Sequence, residues 1–179
     1  MTVEAAALDA TDAAGGKRGW LLVSLFVLVL DQWTKWLVEI HLPVHASQPV
    51  VPGLFNLTHV RNTGVAFGMF AASGQAAATL ILIALGLVAL VVVGFYFWRT
   101  PASQRLLLGA LALVLGGAVG NLLDRSLAGA VTDFLDVYWR GHHWPAFNVA
   151  DSAISVGLVL LALDTLRPAA RPASPAPKP

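Results

Sequence analysis

The sequence predicts an all-α integral membrane protein with four transmembrane helices and a small extracytoplasmic β-element at the membrane surface. Hydrophobic residues make up 57% of the 179 residues and charged residues only 12%, against roughly 25% charged residues in an ordinary soluble domain. The mean hydropathy of the chain is +0.72. Four apolar stretches also approach the length of about 20 residues that a helix needs to cross the hydrocarbon core of a bilayer.

The four predicted spans begin after a short basic segment. Lys17 and Arg18 precede the first apolar run, an order that resembles a signal peptide. Asp31 and Lys35 interrupt that run, however, and it is long enough to cross a membrane, so we predict a retained helix. The second span lies within a stretch that has no charged residue. The predicted spans cover residues 20–38, 75–98, 104–123 and 149–166.

Lysine and arginine residues near the helix ends predict the orientation of the spans, because these residues concentrate on the cytoplasmic side. They precede the first span, fill the short connection between the second and third spans, and follow the fourth: Lys17, Arg18, Arg99, Arg105, Arg167 and Arg171. With four spans all of them lie on one side, so both termini are predicted to be cytoplasmic. The connections over residues 39–74 and 124–148 then face outward.

The first outward connection is too long and too apolar for a simple loop. Residues 54–61 are rich in residues that favour β-strands, and Asn62, Thr63 and Gly64 form a turn signal. The expected domain organisation is a disordered cytoplasmic N-terminus over residues 1–18 and one membrane domain over residues 19–167. A disordered Pro/Ala-rich cytoplasmic tail is expected over residues 168–179.

Composition also excludes several functions. The formal net charge is +1, and the few charged residues are too scattered to build a basic face, so nucleic-acid binding is not expected. The chain has no cysteine. This excludes a disulfide framework, a thiolate metal site and a cysteine nucleophile.

Polar residues cluster at one predicted depth, near the outward ends of the spans. A charged residue within a span costs about 2.5 to 3.5 kcal/mol on insertion scales, so each one is a candidate functional residue. The cluster contains residues from the first, third and fourth spans and from the last outward connection: Asp31, Lys35, Asn121, Asp124, Arg125, Asp133, Asp136, Asn148 and Asp151.

Some members of this cluster have a structural interpretation. Asp31 and Lys35 are four residues apart and share a helix face, and Asp124 is followed directly by Arg125. These residues can therefore be ion pairs that stabilise polar groups near lipid. Asn148 followed three residues later by an acidic residue also resembles a helix capping box.

Asp133 and Asp151 have no cation at helical spacing. Two carboxylates that lie close together cannot both ionise readily, so they can share one proton and supply an acid and a base together. Such a pair activates a water molecule towards an amide carbonyl without a metal or another cofactor. From spacing alone, Asp136 is an equal candidate for the second carboxylate.

Two other functions are compatible with parts of the sequence. Adjacent histidines, His142 and His143, suggest a metal-dependent membrane protease, although the chain has no HExxH motif. Buried carboxylates suggest a small proton-relaying transporter. Against the transporter, the charges gather at one side of the membrane and do not continue across it.

Five short blocks, in this order, give the chain a specific resemblance to the bacterial lipoprotein signal peptidase family, the type II signal peptidases. They are DQWTK at residues 31–35, RNTGVAF at 61–67, GNLLDR at 120–125, VTDF at 131–134 and FNVADS at 147–152. The resemblance covers residues 20–166. It implies an aspartyl endopeptidase of the bacterial inner membrane that removes signal peptides from diacylglyceryl-modified prolipoproteins, on the amino side of the lipidated cysteine.

The resemblance also implies roles for individual residues. The catalytic aspartates of the family fall on Asp133 and Asp151, which leaves Asp136 as a solvent-facing or locally hydrogen-bonded residue. The expected supporting residues bind the substrate, orient the catalytic pair, stabilise the polar cluster or allow close helix packing: Asn62, Asn121, Arg125, Asn148, Asp31, Lys35, Asp124 and Gly120. The expected partners are lipidated prolipoproteins and membrane lipids. No cofactor is expected, and a monomer suffices because one chain contains every block.

Overall fold

The computed structural model describes residues 3–64 and 74–166 as four helices and a small sheet. The helices are α1 (Val3–His41), α2 (Gly74–Arg99), α3 (Arg105–Ala128) and α4 (Val149–Thr165). The strands are β1 (Ser47–Val51), β2 (Phe55–Asn62), β3 (Val131–Trp139) and β4 (His142–His143), in the antiparallel order β1-β2-β3-β4. The tail predicted over residues 168–179 and the end of the RNTGVAF block, residues 65–67, lie outside the described residues.

The chain is mostly helical and strongly apolar on its outer faces. Among the described residues, three helical segments are long and apolar enough to cross a membrane: residues 16–41, 76–99 and 105–128. Large apolar side chains of α2 are exposed, with Val91 at 72% and Leu80 at 67%. Helix α4 has 17 residues, at the lower limit of about 17 to 25 residues for a span. The count of four spans therefore stays a prediction.

Helix α3 packs against each of the other three helices. Glycines allow the close approach, because a methyl group on Gly117 would lie 2.5 Å from the carbonyl oxygen of Ala150, and one on Gly116 would lie 2.6 Å from that of Ser24. Small residues at helix contacts are typical of membrane bundles. Gly116 and Gly117 are therefore packing residues at the helix contacts.

The sheet joins the two connections that the sequence places on the same side. Strand β2 pairs with β3 so that Asn62 faces Val131 and Val60 faces Asp133. The sequence predicts β2 and the turn that follows it, but not the other three strands. The two connections consequently form one structural unit at the end of the bundle.

Helix α1 begins at Val3, whereas the sequence predicts disorder over residues 1–18. The difference has a local reason, because this segment is rich in alanine, the residue with the highest helix propensity, and contains no proline. At the same end of the bundle, Lys17 Nζ donates a hydrogen bond to the carbonyl oxygen of Trp98 at 2.9 Å.

Candidate active site

Except for Asp136, the residues of the predicted polar cluster form one connected group at the end of the bundle that carries the sheet. The C-terminal halves of α1 and α3, the N-terminus of α4 and strand β3 contribute its side chains. Most of them are buried, with Asp31 and Asn148 at 0% exposure and Asp133 at 2%. Buried polar groups need partners, and the hydrogen bonds and ion pairs described below supply them for most of these side chains.

Asn148 and Asp151 begin helix α4 as a capping box. The Asn148 side-chain oxygen accepts a hydrogen bond from the backbone N–H of Asp151 at 2.9 Å, and the backbone N–H of Asn148 donates to the Asp151 carboxylate at 3.2 Å. This satisfies N–H groups that a helix N-terminus leaves without partners. The capping role predicted from the sequence is confirmed, and it fixes the position of the Asp151 carboxylate.

Asp133 lies on β3, opposite Val60 of β2. Its carboxylate accepts hydrogen bonds from Asn62 Nδ2 at 2.8 Å and from Asn148 Nδ2 at 2.7 Å. Asn148 therefore touches both aspartates, through its side-chain amide on Asp133 and its backbone N–H on Asp151. This shared partner brings the two carboxylates into one site.

The pKa of Asp133 is raised to about 6. Burial is the main cause, since the charged form loses its contact with water. The hydrogen bond from Asn62 opposes the rise, whereas the negative charge of Asp151 adds to it. A rise caused by the charge of Asp151 is what two neighbouring carboxylates that share one proton would show.

Asn121 connects this pair to a buried ammonium group. Its Nδ2 donates to Asp151 Oδ1 at 2.7 Å, while its Oδ1 accepts from Lys35 Nζ at 3.0 Å and from Asn148 Nδ2 at 3.2 Å. The orientation of the Asn121 amide is therefore set from both sides. A rigid amide in this position holds the carboxylate of Asp151 on its second oxygen.

Lys35 forms ion pairs with two carboxylates, Asp31 and Asp124, each at 2.7 Å. The pairing of Asp31 with Lys35 is thus confirmed. The pairing of Asp124 with Arg125 is wrong, because consecutive residues of a helix point in different directions. Arg125 Nη1 instead donates to the carbonyl oxygen of Asn121 at 3.3 Å.

Comparisons with known proteins give the family. The family model described as signal peptidase (SPase) II matches residues 23–167. The chain belongs to the signal peptidase II family. It is therefore a peptidase of a membrane enzyme family.

Similarity to individual proteins of this family extends over most of the chain. The lipoprotein signal peptidase of Geobacter metallireducens is 50% identical over 150 residues, which cover 84% of this chain and 91% of the relative. That of Solibacter usitatus is 45% identical over 146 residues, covering 82% and 89%. A solved structure described as a bacterial membrane enzyme, determined by the in meso method at 1.9 Å resolution, has a TM-score of 0.75 at 30% identity and covers 83% of this chain and 93% of its own.

All five blocks that resemble the signal peptidase II family contribute to the same end of the bundle. Asn62 ends β2, and its side chain also accepts a hydrogen bond from the backbone N–H of Gly64 at 2.8 Å. A methyl group on Gly120 would lie 2.5 Å from Asp31 Oδ2. Gly120 thus allows helix α1 to bring Asp31 against α3.

Asp136 lies apart from this group. It is three residues from Asp133 on one strand, so the two side chains point to opposite faces of the sheet. Its carboxylate accepts hydrogen bonds from Asn56 Nδ2 at 2.8 Å and interacts with His143 Nδ1 at 2.8 Å. Of the two roles expected for Asp136, the locally hydrogen-bonded one is observed.

Two residues of the cluster were not identified from the sequence. Gln32 Nε2 donates to Asp124 Oδ1 at 2.8 Å, and Thr132 Oγ1 donates to Glu39 at 2.6 Å. Both lie inside blocks that resemble the family, DQWTK and VTDF, which is the signal that could have identified them. Asp31 also accepts a hydrogen bond from the backbone N–H of Ala150 at 2.9 Å. No sequence pattern predicts this contact.

Proposed function

We propose that the chain is a lipoprotein signal peptidase that cleaves diacylglyceryl-modified prolipoproteins on the amino side of the lipidated cysteine. The observation that carries this proposal is the pair of aspartates held by one asparagine, Asn148, in a member of the signal peptidase II family. An aspartate pair is a known means of amide hydrolysis that requires no cofactor.

In the proposed mechanism, Asp133 and Asp151 divide the roles of acid and base. Asp151 takes a proton from a water molecule as the water oxygen attacks the scissile carbonyl carbon. Asp133 donates its proton to the departing nitrogen as the carbon–nitrogen bond breaks. The raised pKa of Asp133, about 6, favours Asp133 as the carrier of the shared proton.

The asparagines and the ion-paired cluster support this pair. Asn148 donates a hydrogen bond to the Asp133 carboxylate, and Asn121 donates one to the Asp151 carboxylate. These hydrogen bonds fix the orientation of both carboxylates. Lys35 holds Asn121 in turn. Asn62 contacts Asp133, and its additional contact with substrate backbone stays a prediction, as does that of Arg125 with the lipid ester or peptide carbonyls.

The proposed location is the bacterial inner membrane, with four spans, both termini in the cytoplasm and the aspartates near the outer face. Helix α4, with 17 residues, would be about 26 Å long, which is close to the core thickness of about 30 Å. Lys17, Arg99 and Arg105 belong to the end of the bundle opposite the aspartates, as the positive-inside rule requires for this orientation.

A narrow groove between α2, α3 and α4 is lined in part by Asn121, the residue that donates a hydrogen bond to Asp151. It has a volume of about 250 Å³ and is mostly apolar, with Leu82, Leu85, Leu122 and Ile154 in its wall and Asn121 and Arg125 at its polar end. An apolar segment of the substrate can lie there while its cleavage site meets the aspartates. The peptidase domain is proposed to cover residues 19–167 and to act as a monomer surrounded by membrane lipids.

The proposal is tested with the purified full chain in proteoliposomes and a diacylglyceryl-modified prolipoprotein. Mass spectrometry of the products should locate a single cleavage directly before the lipidated cysteine. The same precursor without the diacylglyceryl group is the control and should stay intact. Equal cleavage of both precursors, or cleavage at another bond, would contradict the proposed specificity.

A further inference from the structure

A second, larger groove lies between the beginning of α2 and the end of α3. Its volume is about 840 Å³. Arg61, near the end of β2, and Arg125, on α3, both line it, and none of the described lining residues is acidic. The sequence also has no Asp or Glu between Arg61 and Arg99. Its two arginines therefore face no carboxylate among the lining residues that the structure describes.

Both guanidinium groups keep donors for a ligand. Arg61 Nη2 donates to the carbonyl oxygen of Ala128 at 2.9 Å, and Arg125 Nη1 donates to the carbonyl oxygen of Asn121 at 3.3 Å. These two contacts do not use the other N–H groups of the two side chains. The Nε of Arg125 is buried and has no hydrogen-bond partner among the residues that the structure describes. A guanidinium carries five N–H donors, and a buried donor without a partner is costly. The site therefore favours a ligand with several acceptor oxygens.

The wall of the groove that α2 forms is mostly apolar, with Thr79 as its one polar residue among those described. Ala76, Leu80 and Ile83 of α2 line it, and Leu80 is 67% exposed. These residues follow the start of a helix that is apolar enough to cross a membrane, so the arginines lie near the level of lipid headgroups. The anionic head of an amphiphile can pair with the arginines while its acyl chain contacts the apolar residues of α2. A free anion can pair with the arginines only.

We propose that this groove binds an anionic glycerophospholipid, with its phosphate between Arg61 and Arg125 and an acyl chain along Leu80 and Ile83. Arginine pairs well with phosphate because its planar donors match the phosphate oxygens, and basic pockets between spanning helices bind such headgroups. Arg125 also lines the narrow groove that reaches Asn121. The bound phosphate would thus hold the guanidinium of Arg125, which lies between this lipid groove and the narrow groove proposed for the substrate.

Native mass spectrometry of the full chain, released from mixed phosphatidylglycerol and phosphatidylcholine nanodiscs, tests this site. We expect the wild-type chain to retain phosphatidylglycerol over phosphatidylcholine by about tenfold, the effect of one charge-assisted contact. Arg61→Gln should remove the preference. Arg140→Gln, which removes an arginine from the turn after β3, should keep it. Equal retention of both lipids by the wild-type chain would overturn the proposal.

A second variant guards against a folding defect in Arg61→Gln. Ser126 lines the groove and is exposed, so Ser126→Glu adds a negative charge without removing a described contact, and Ser126→Gln is its uncharged control. Loss of the preference in Ser126→Glu alone supports the site, and its retention there contradicts it. If inorganic phosphate displaces phosphatidylglycerol as readily as the free lipid does, the ligand is a free anion and the lipid assignment is wrong.

The binding readout is independent of peptide cleavage. Asp133→Asn should bind phosphatidylglycerol like the wild-type chain even where cleavage is lost. Failure of the lipid site and failure of the aspartate mechanism therefore give different results.

Discussion

Asn148 hydrogen-bonds to both carboxylates of the proposed pair and at the same time begins helix α4. Capping and catalysis are compatible because they use different atoms. The side-chain oxygen of Asn148 satisfies the helix N–H of Asp151, whereas its Nδ2 reaches Asp133. A helix N-terminus thus fixes one carboxylate of the pair relative to the other.

The raised pKa of Asp133 predicts the pH dependence of the enzyme. Asp133 keeps its proton in the folded protein up to a pH of about 6, although its ordinary pKa is 3.8. Its contribution to stability is therefore complete below about pH 3.8 and is lost as the pH rises through about 6. If Asp133 is the acid, kcat/KM should fall as the pH rises through about 6, and the apparent pKa of this fall belongs to the aspartate pair.

Steady-state cleavage of a lipidated substrate between pH 5 and 8 checks this expectation. Substrate binding can move the pKa seen in kcat, so kcat/KM, which reports the free enzyme, is the quantity to compare. A profile of kcat/KM that is flat or rises over this range would show that Asp133 does not act as the acid.

Residue patterns predict most of the polar cluster, but not Gln32 or Thr132 and not every contact within the cluster. Asp133 and Asp136 were equal candidates because both precede the fourth helix by a similar distance in sequence. The family resemblance favours Asp133, and the strand gives the physical reason, since residues three apart lie on opposite faces of the sheet. The sequence likewise does not predict the ion pair between Asp124 and Lys35, because it joins two helices through tertiary packing.

At the scale of elements, the pairing of β2 with β3 decides where Asp133 lies. The register sets Val60 against Asp133 and Asn62 against Val131, which brings Asn62 Nδ2 within 2.8 Å of the Asp133 carboxylate. The composition of β2 predicted a strand locally. Its partner lies about 70 residues further along the chain, and no local signal specifies so distant a pairing.

The contact between α3 and α4 predicts a difference between two glycine variants. In Gly117→Ala the new methyl group would lie 2.5 Å from the backbone oxygen of Ala150, so the helices must separate, at a cost of about 1–3 kcal/mol. The same movement displaces Asn121 from Asp151. We therefore expect a lower thermal midpoint in detergent and slower cleavage.

Gly94→Ala is the matched control for this comparison. A methyl group on Gly94 has no neighbour within 4 Å, and alanine favours a helix over glycine by about 1 kcal/mol. Its thermal midpoint should be unchanged or higher. Equal midpoints for the two variants would show that the α3–α4 contact does not depend on the close approach at Gly117.

At the scale of the whole molecule, composition and the positions of the charged residues predicted a membrane bundle with its polar residues at one end. Helices α2, α3 and α4 lie within a few residues of their predicted bounds. The long apolar runs make these elements predictable, because about 20 consecutive apolar residues indicate a membrane-spanning helix. The sequence does not predict the N-terminal extension of α1, although its alanine content favours a helix.

The absence of cysteine allows the proposed topology to be tested with single introduced thiols. His142→Cys lies in the sheet, Ser103→Cys in the connection between α2 and α3, and Thr165→Cys at the end of α4. In intact spheroplasts, a membrane-impermeant maleimide should label only His142→Cys, and all three after permeabilisation. Labelling of Thr165→Cys in intact spheroplasts would mean that α4 does not span the membrane.

Cleavage of a lipidated prolipoprotein by Asp133→Asn and Asp151→Asn tests the aspartate pair most directly. Asparagine keeps the size of the side chain but can neither give up nor accept the catalytic proton. Each variant should keep a thermal midpoint close to that of the wild-type chain and lose about 10²–10⁴-fold in kcat. Asp136→Asn, on the other face of the strand, should retain cleavage. Wild-type cleavage by either of the first two variants, in folded protein, would contradict the proposed mechanism.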